Sequence, residues 1–108
     1  MTTLTDDSLN TLKTLGLNID TARQRRRLSV KVLSERALIT AQTYRRLRNG
    51  DPSVSLGVAM SVLQAMGLES QVANLVDPKN DDVGIGLEAT WRQKHFRGDG
   101  QNELETNF

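Results

Sequence analysis

The tetrapeptide Asn49-Gly50-Asp51-Pro52 does most to limit what this chain can fold into. Asn and Gly both tolerate the left-handed conformation that closes a helix. The residue before a proline is pushed out of the helical region, so Asp51-Pro52 makes the stop firm. A helix in front of this stop must end near Arg48. Thr40 offers it a fresh N-cap, so the spacing predicts a short helix from Ala41 to about Arg48, with Tyr44 and Leu47 turned inward.

The same logic divides the rest of the chain. Leu12, Leu15, Ile19 and Ala22 recur at helical spacing, which predicts a first helix from about Asp7 to Arg27. Thr5 or Asp6 caps it, and the early acids suit its positive end. Gly16 inside it reads as a small weakness. Ser29 caps a second, short helix whose inward face is Val32, Leu33 and Ala37. After the stop, Ser53 or Ser55 caps a fourth helix with Leu56, Ala59, Leu63 and Met66 buried, and Gly67 closes it. Leu68, Val72, Leu75 and Val76 form a short fifth helix that ends at Asp77-Pro78.

Beyond Pro78 the composition changes, which divides the chain into residues 1–78 and an extension, 79–108. Asp81-Asp82 reads as part of a linker turn. Val83, Ile85, Leu87, Ala89 and Trp91 alternate with other residues, and this period of two predicts a strand over 83–91. A helix from Leu87 to Phe96 is the competing reading. The segment RGDGQNELETNF is polar and reads as a flexible tail. Trp91 either packs back on the domain or anchors a partner or a second copy. An alternating segment can also add itself to a sheet edge, which makes Val83, Ile85, Leu87 and Trp91 the candidate contact residues.

Charge narrows the function. The net charge is only +1, but residues 1–20 carry −2, residues 21–50 carry +8 and residues 51–108 carry −5. The central block holds nine positive groups (Arg23, Arg25, Arg26, Arg27, Lys31, Arg36, Arg45, Arg46 and Arg48) against Glu35 alone. A block so basic repels itself and fits a polyanion, most simply nucleic acid. There is no cysteine, so disulfides, thiolate zinc sites and cysteine nucleophiles are excluded, and a reducing cytoplasm is the expected compartment. The N-terminal residues have neither the basic start nor the apolar run of a secretion signal, and no apolar stretch is long enough to span a membrane. His95 is a lone histidine, read as a solvated side chain. No Gly-rich phosphate loop, His cluster or nucleophile–base pattern supports an enzyme, and no cofactor or metal is expected.

Two short helices in tandem, the second with exposed polar side chains, make a helix-turn-helix pattern. With Tyr44 and Leu47 inward, Ala41, Gln42, Thr43, Arg45, Arg46 and Arg48 lie outward or at the flanks. Gln pairs in bidentate fashion with adenine and Arg with guanine. Gln42 and Arg46, four residues apart on one helical face, are the candidate base readers. Arg45 is a candidate for a base or a phosphate. Thr40 and Thr43 are candidates to bond phosphate through their hydroxyls, and Arg23, Arg26 and Arg27 are candidate backbone clamps, which position a protein without reading sequence.

The stretch LGLNIDTARQRRRLSVKVLSERALITAQTYRRLRNGDPSVSLGVAMSVLQAMGL resembles the XRE/Cro-type helix-turn-helix domain, from Leu15 to about Val76. The opening around Leu15–Ser29, the LSERALIT segment and NGDPSVSLG carry the resemblance. NGDPSVSLG is similar to a subgroup that includes HipB-type antitoxins, and DDVGIGLE resembles the segment that follows the domain there. The resemblance implies an all-α, five-helix, lambda-repressor-like domain that forms a homodimer on an inverted-repeat operator in double-stranded DNA and represses its own operon. In the subgroup the same protein also restrains a HipA-family kinase toxin; the alternative is a stand-alone, phage-like repressor without a toxin. Carried over, the start of the recognition helix falls on Thr40, Ala41, Gln42 and Thr43, with a further reading position at Arg46. The phosphate-contacting start of the second helix falls on Ser29 and Val30. Three positions depart from the family. Val30 stands where Gln is common, with Lys31 as a replacement phosphate contact. Arg48 replaces an acid and adds positive charge to the binding face. Leu38 stands where a turn Gly is usual, and a left-handed Leu there costs about 1 kcal/mol or more.

Overall fold

The computed structural model describes residues 3–95. Among the described residues every regular element is helical and there is no strand. Its elements are α1 (Asp6–Arg25), α2 (Val30–Ala37), α3 (Ala41–Arg48), α4 (Leu56–Ala65), two 3₁₀ turns (Glu69–Asn74 and Pro78–Asn80) and α5 (Asp82–His95). It divides into two compact units, Met1–Val72 and Ala73–Phe108. None of the described helices is long and apolar enough to cross a membrane.

In the first unit each helix begins on a hydroxyl cap. Thr5, Ser29, Thr40 and Ser55 accept from the backbone N–H three residues on, in Ser8, Val32, Thr43 and Val58, at 3.0–3.1 Å. Each bond satisfies a donor that the first helical turn leaves unpaired. Where two caps were open for a helix, the hydroxyls of Thr5 and Ser55 are the ones used.

All four helices also end in one way, with a 6→1 and a 5→2 backbone bond around a left-handed residue. Asp51 donates to the Arg46 carbonyl and Gly50 to that of Leu47; Leu68 donates to Leu63 and Gly67 to Gln64. In α3 and α4 the left-handed residue is Gly50 (φ 77°) or Gly67 (φ 76°). In α1 and α2 it is Arg27 (φ 53°) and Leu38 (φ 59°), with the same bonds from Leu28 to Arg23 and from Ile39 to Ser34. Leu38 does adopt the strained conformation. The bonds it permits satisfy carbonyls at the end of α2, and so hold it there.

The core gathers Ile19, Leu33, Ala37, Tyr44, Leu47, Ala59, Val62 and Met66. α2 packs on α4 and α3, and α1 packs on α3. Truncating a fully enclosed side chain such as Leu33 to Ala costs about 2–5 kcal/mol. Several expected inward positions are corrected: Leu15 is exposed, and Leu63 packs only half-buried against the core. Leu56 is 67% exposed, whereas Val62 is 0% exposed. The buried stripe of α4 steps Ala59, Val62, Met66, and Leu56 lies at the first helical position, outside it. Val32 is likewise exposed, and Ser34 takes the buried place beside Leu33.

Gly16 is no weakness. A Cβ on it would overlap the carbonyl of Arg48, and one on Gly50 would overlap the backbone of Leu12 and Lys13. The two glycines let the backbone of α1 lie directly against the end of α3.

The second unit corrects the strand expected over 83–91, because α5 is helical from Asp82 to His95. The sequence offers no ladder partner for a strand there, whereas a helix satisfies its own backbone. Asp81, read as a linker turn, is the start signal: its carboxylate accepts from Gly84 N–H at 2.9 Å, and Ile85 N–H donates to its carbonyl. Val83, Leu87 and Trp91 alternate along the sequence but also recur every four residues, one face of a helix. The helix expected at Leu87–Phe96 was right in type and late in its start. The expected fifth helix is a 3₁₀ turn, Glu69–Asn74, and Leu75 and Val76 are exposed. The expected flexible tail, residues 97–108, and Phe96 lie outside the described residues, as does the side chain of His95.

Candidate nucleic-acid interface

The site is built on α3. Tyr44 and Leu47 are buried, which fixes the rotation of the helix about its axis. Gln42, Arg45 and Arg46 are therefore exposed, while Ala41, Thr43 and Arg48 lie half-buried at its flanks. Residues 38–40 join α2 to α3. Thr40 both caps α3 and donates from its hydroxyl to Thr43 Oγ at 2.9 Å. The hydroxyls at this helix start are thus ordered by one another, beside backbone N–H groups at the positive end of the helix.

The rotation of α3 is locked a second time by a polar cluster beneath it. The Tyr44 hydroxyl donates to Asp20 Oδ1 at 2.6 Å. Arg23 donates to both oxygens of the same carboxylate, from Nε at 2.9 Å and from Nη2 at 3.3 Å, and Gln24 Nε2 donates at 3.1 Å. Arg23 Nη1 donates to the Leu28 carbonyl at 2.8 Å. The side chains of Arg23 and Asp20 are only 15% and 12% exposed. The Arg23 guanidinium beside Asp20 holds that carboxyl below the usual range, against the effect of burial. Burial, with the Asp20 hydrogen bond, pushes the Tyr44 hydroxyl up to about 12. Arg23 was expected as a backbone clamp; its three nitrogens are instead directed inward, and it serves the fold.

Arg26 and Arg27 are exposed at the end of α1, with Arg26 Nη1 donating to the Ala22 carbonyl. Ser29 and Lys31 are exposed at the start of α2. Of the expected set, Gln42, Arg45 and Arg46 on α3, Ser29 and Lys31 at the start of α2, and Arg26 and Arg27 at the end of α1 are exposed, whereas Arg23 is turned inward.

Two residues read from the sequence only as a helix stop and a cap candidate, Asp51 and Ser53, touch the site. Arg46 Nε donates to Asp51 Oδ2 at 3.0 Å, and Arg46 Nη2 donates to Ser53 Oγ. Asp51 Oδ1 accepts from Ser53 N–H at 2.9 Å and from Ser53 Oγ at 2.7 Å. The bonds from Ser53 and Arg46 hold the Asp51 carboxyl down at about 2. An Asp two residues before a Ser, just past a helix stop, is a recognisable turn pattern, and it was the available signal.

The other candidate contact residues lie in the second unit. Val83, Ile85 and Leu87 are exposed and Trp91 is half-buried. Ile85, Leu87 and Trp91 line a shallow groove with Val76, Pro78, Asp81, Gly84 and Glu88. Among the described residues no group of three or more His, Cys, Asp or Glu side chains is placed to hold a metal ion.

Comparison with family models, with curated proteins and with solved structures gave no match.

Proposed function

We propose that this chain is a sequence-specific DNA-binding repressor, with α2 and α3 as a helix-turn-helix and α3 as its recognition helix in the major groove. The observation that carries the reading is the rotation of α3. Tyr44 and Leu47 are buried, so Gln42, Arg45 and Arg46 project together from the opposite side. The first turn of such a helix reaches base edges, and Gln and Arg are the side chains suited to adenine and guanine. In this reading Ala41 makes apolar contact with a base. Arg26, Arg27, Ser29, Lys31, Thr40, Thr43 and Arg48 hold phosphates. The +8 block over residues 21–50 supplies affinity that does not depend on sequence.

Binding as a homodimer to an inverted repeat follows from the XRE/Cro resemblance, as does repression of its own operon. So does the finer reading as the antitoxin of a HipBA-like pair acting on a kinase toxin in the bacterial cytoplasm. The exposed apolar side chains of α5 favour this over a stand-alone repressor, because they offer a surface to a protein partner.

Selection from a pool of randomised duplexes tests the central reading. The full chain should enrich an inverted repeat whose half-sites contain guanine and adenine. An enriched pool no different from the input would refute it. Purification from the native host at high salt separates the finer readings: a stoichiometric kinase-like protein marks an antitoxin, and its absence a stand-alone repressor.

A further inference from the structure

We propose that Asp51 and Ser53 are positioning residues that hold Arg46 ready to read one guanine in each half-site, an inference that rests on the reading of α3 as the recognition helix.

The geometry is that of a guanidinium gripped from one side. A guanidinium has five N–H donors in a rigid planar fork. Here Nε–H goes to Asp51 Oδ2 and one Nη2–H goes to Ser53 Oγ. Both Nη1 hydrogens and the second on Nη2 remain. The second on Nη2 and one on Nη1 lie along the outer end of the fork, the pair of nitrogens that meets two acceptors side by side. Guanine presents O6 and N7 as such a pair in the major groove. The grip is itself fixed, because Asp51 Oδ1 is tied to the backbone and hydroxyl of Ser53, and Asp51 N–H closes α3 on the Arg46 carbonyl. Fixing the fork before binding removes ordering entropy from the bound state and restricts which base it fits.

Charge makes the inference testable by sign. A carboxylate beside a polyanion is repulsive, so if Asp51 did nothing for Arg46, neutralising it would tighten binding to any DNA. If it positions Arg46, neutralising it weakens the chosen sequence while leaving random sequence no weaker.

The test uses the full chain and the duplex enriched by wild type, with each half-site base varied in turn and a scrambled duplex as reference. Asp51→Asn keeps a side-chain oxygen for the Ser53 turn but cannot accept from Arg46 Nε while doing so; Ser53→Ala removes the second hold. Melting temperatures confirm that each variant folds. Arg46→Ala should abolish the preference for guanine at one position. Asp51→Asn and Ser53→Ala should reduce that preference about three- to tenfold, with preferences elsewhere unchanged. Adding Asp51→Asn to Arg46→Ala should cause no further loss of preference. Tighter binding of both duplexes by Asp51→Asn, with all base preferences intact, would overturn the inference. So would a uniform loss across all bases, which marks a phosphate contact. Either result leaves the proposed function standing, whereas failure of wild type to enrich any sequence overturns both.

Discussion

Asp20, on α1, and Tyr44, on α3, are joined by a 2.6 Å hydrogen bond across 24 residues of sequence. Tyr44 is fully buried and Asp20 nearly so. The bond sets the rotation of α3, and so decides which side chains that helix presents.

Removing this bond should be felt in stability. Tyr44→Phe leaves Asp20 one donor short and should cost about 1–2 kcal/mol. Asp20→Ala leaves the enclosed Arg23 guanidinium without its carboxylate and should cost about 2–4 kcal/mol. The double variant should lose less than the sum, because both changes remove the same bond. Urea unfolding of the four proteins measures this; strict additivity would mean that the two residues do not act as one unit.

The same pair sets a pH window. Asp20's folded carboxyl lies below its ordinary value, so its contribution is complete above about pH 4 and is lost as pH falls through the folded value. Tyr44 lies at about 12, above its ordinary value of 10.0. Its contribution is complete below about pH 10 and is lost as pH rises from there towards 12. Asp51, held at about 2, adds to the acid limb. Stability should be level between these limits and fall on both sides. Tyr44→Phe should flatten the alkaline limb, and Asp20→Asn should shrink the acid limb without removing it. An alkaline limb of equal size in Tyr44→Phe would contradict the assignment.

Leu38 predicts a gain. It is left-handed and 91% exposed, so the side chain adds strain and contributes almost no burial. Leu38→Gly should stabilise the first unit by about 0.5–1 kcal/mol, less than the full relief because glycine also loses more freedom on folding. A rise in melting temperature checks this; a fall would show that the Leu38 side chain has a packing role.

Gly16 predicts a loss where helix propensity alone predicts a gain. Ala favours an isolated helix by about 1 kcal/mol over Gly. At residue 16 its Cβ meets the Arg48 carbonyl, a rigid group, so α1 must move off α3. Gly16→Ala should therefore destabilise by about 1–3 kcal/mol, read as a lowered melting temperature. A stabilised variant would refute the close packing of the two helices.

These contrasts show what could be read from sequence. The caps at Thr5, Ser29, Thr40 and Ser55, and the stops at Gly50 and Gly67, are local chemistry, and local chemistry is legible. So was the inward turn of Tyr44 and Leu47, which carries the candidate site. What escaped depends on neighbours distant in sequence. Asp20 is only one more negative charge in the sequence until Tyr44 is placed above it. Gly16 reads as a propensity defect until Arg48 lies against it. Arg27 ends α1 in a left-handed conformation that nothing in its side chain announces. Arg23 stands among the surface arginines in sequence and points inward in the fold. The strand expected over 83–91 failed because Val83, Leu87 and Trp91 satisfy both periods, and the Asp81 cap decides between them.

The central claim is that Gln42 and Arg46 on α3 read bases. The most direct measurement is the affinity ratio between the selected duplex and a scrambled one, for wild type and for Gln42→Ala and Arg46→Ala, at two salt concentrations. The ratio should fall about 5- to 100-fold in each variant while affinity for the scrambled duplex holds for Gln42→Ala. All affinities should weaken steeply as salt rises. An unchanged ratio in both variants would contradict the account.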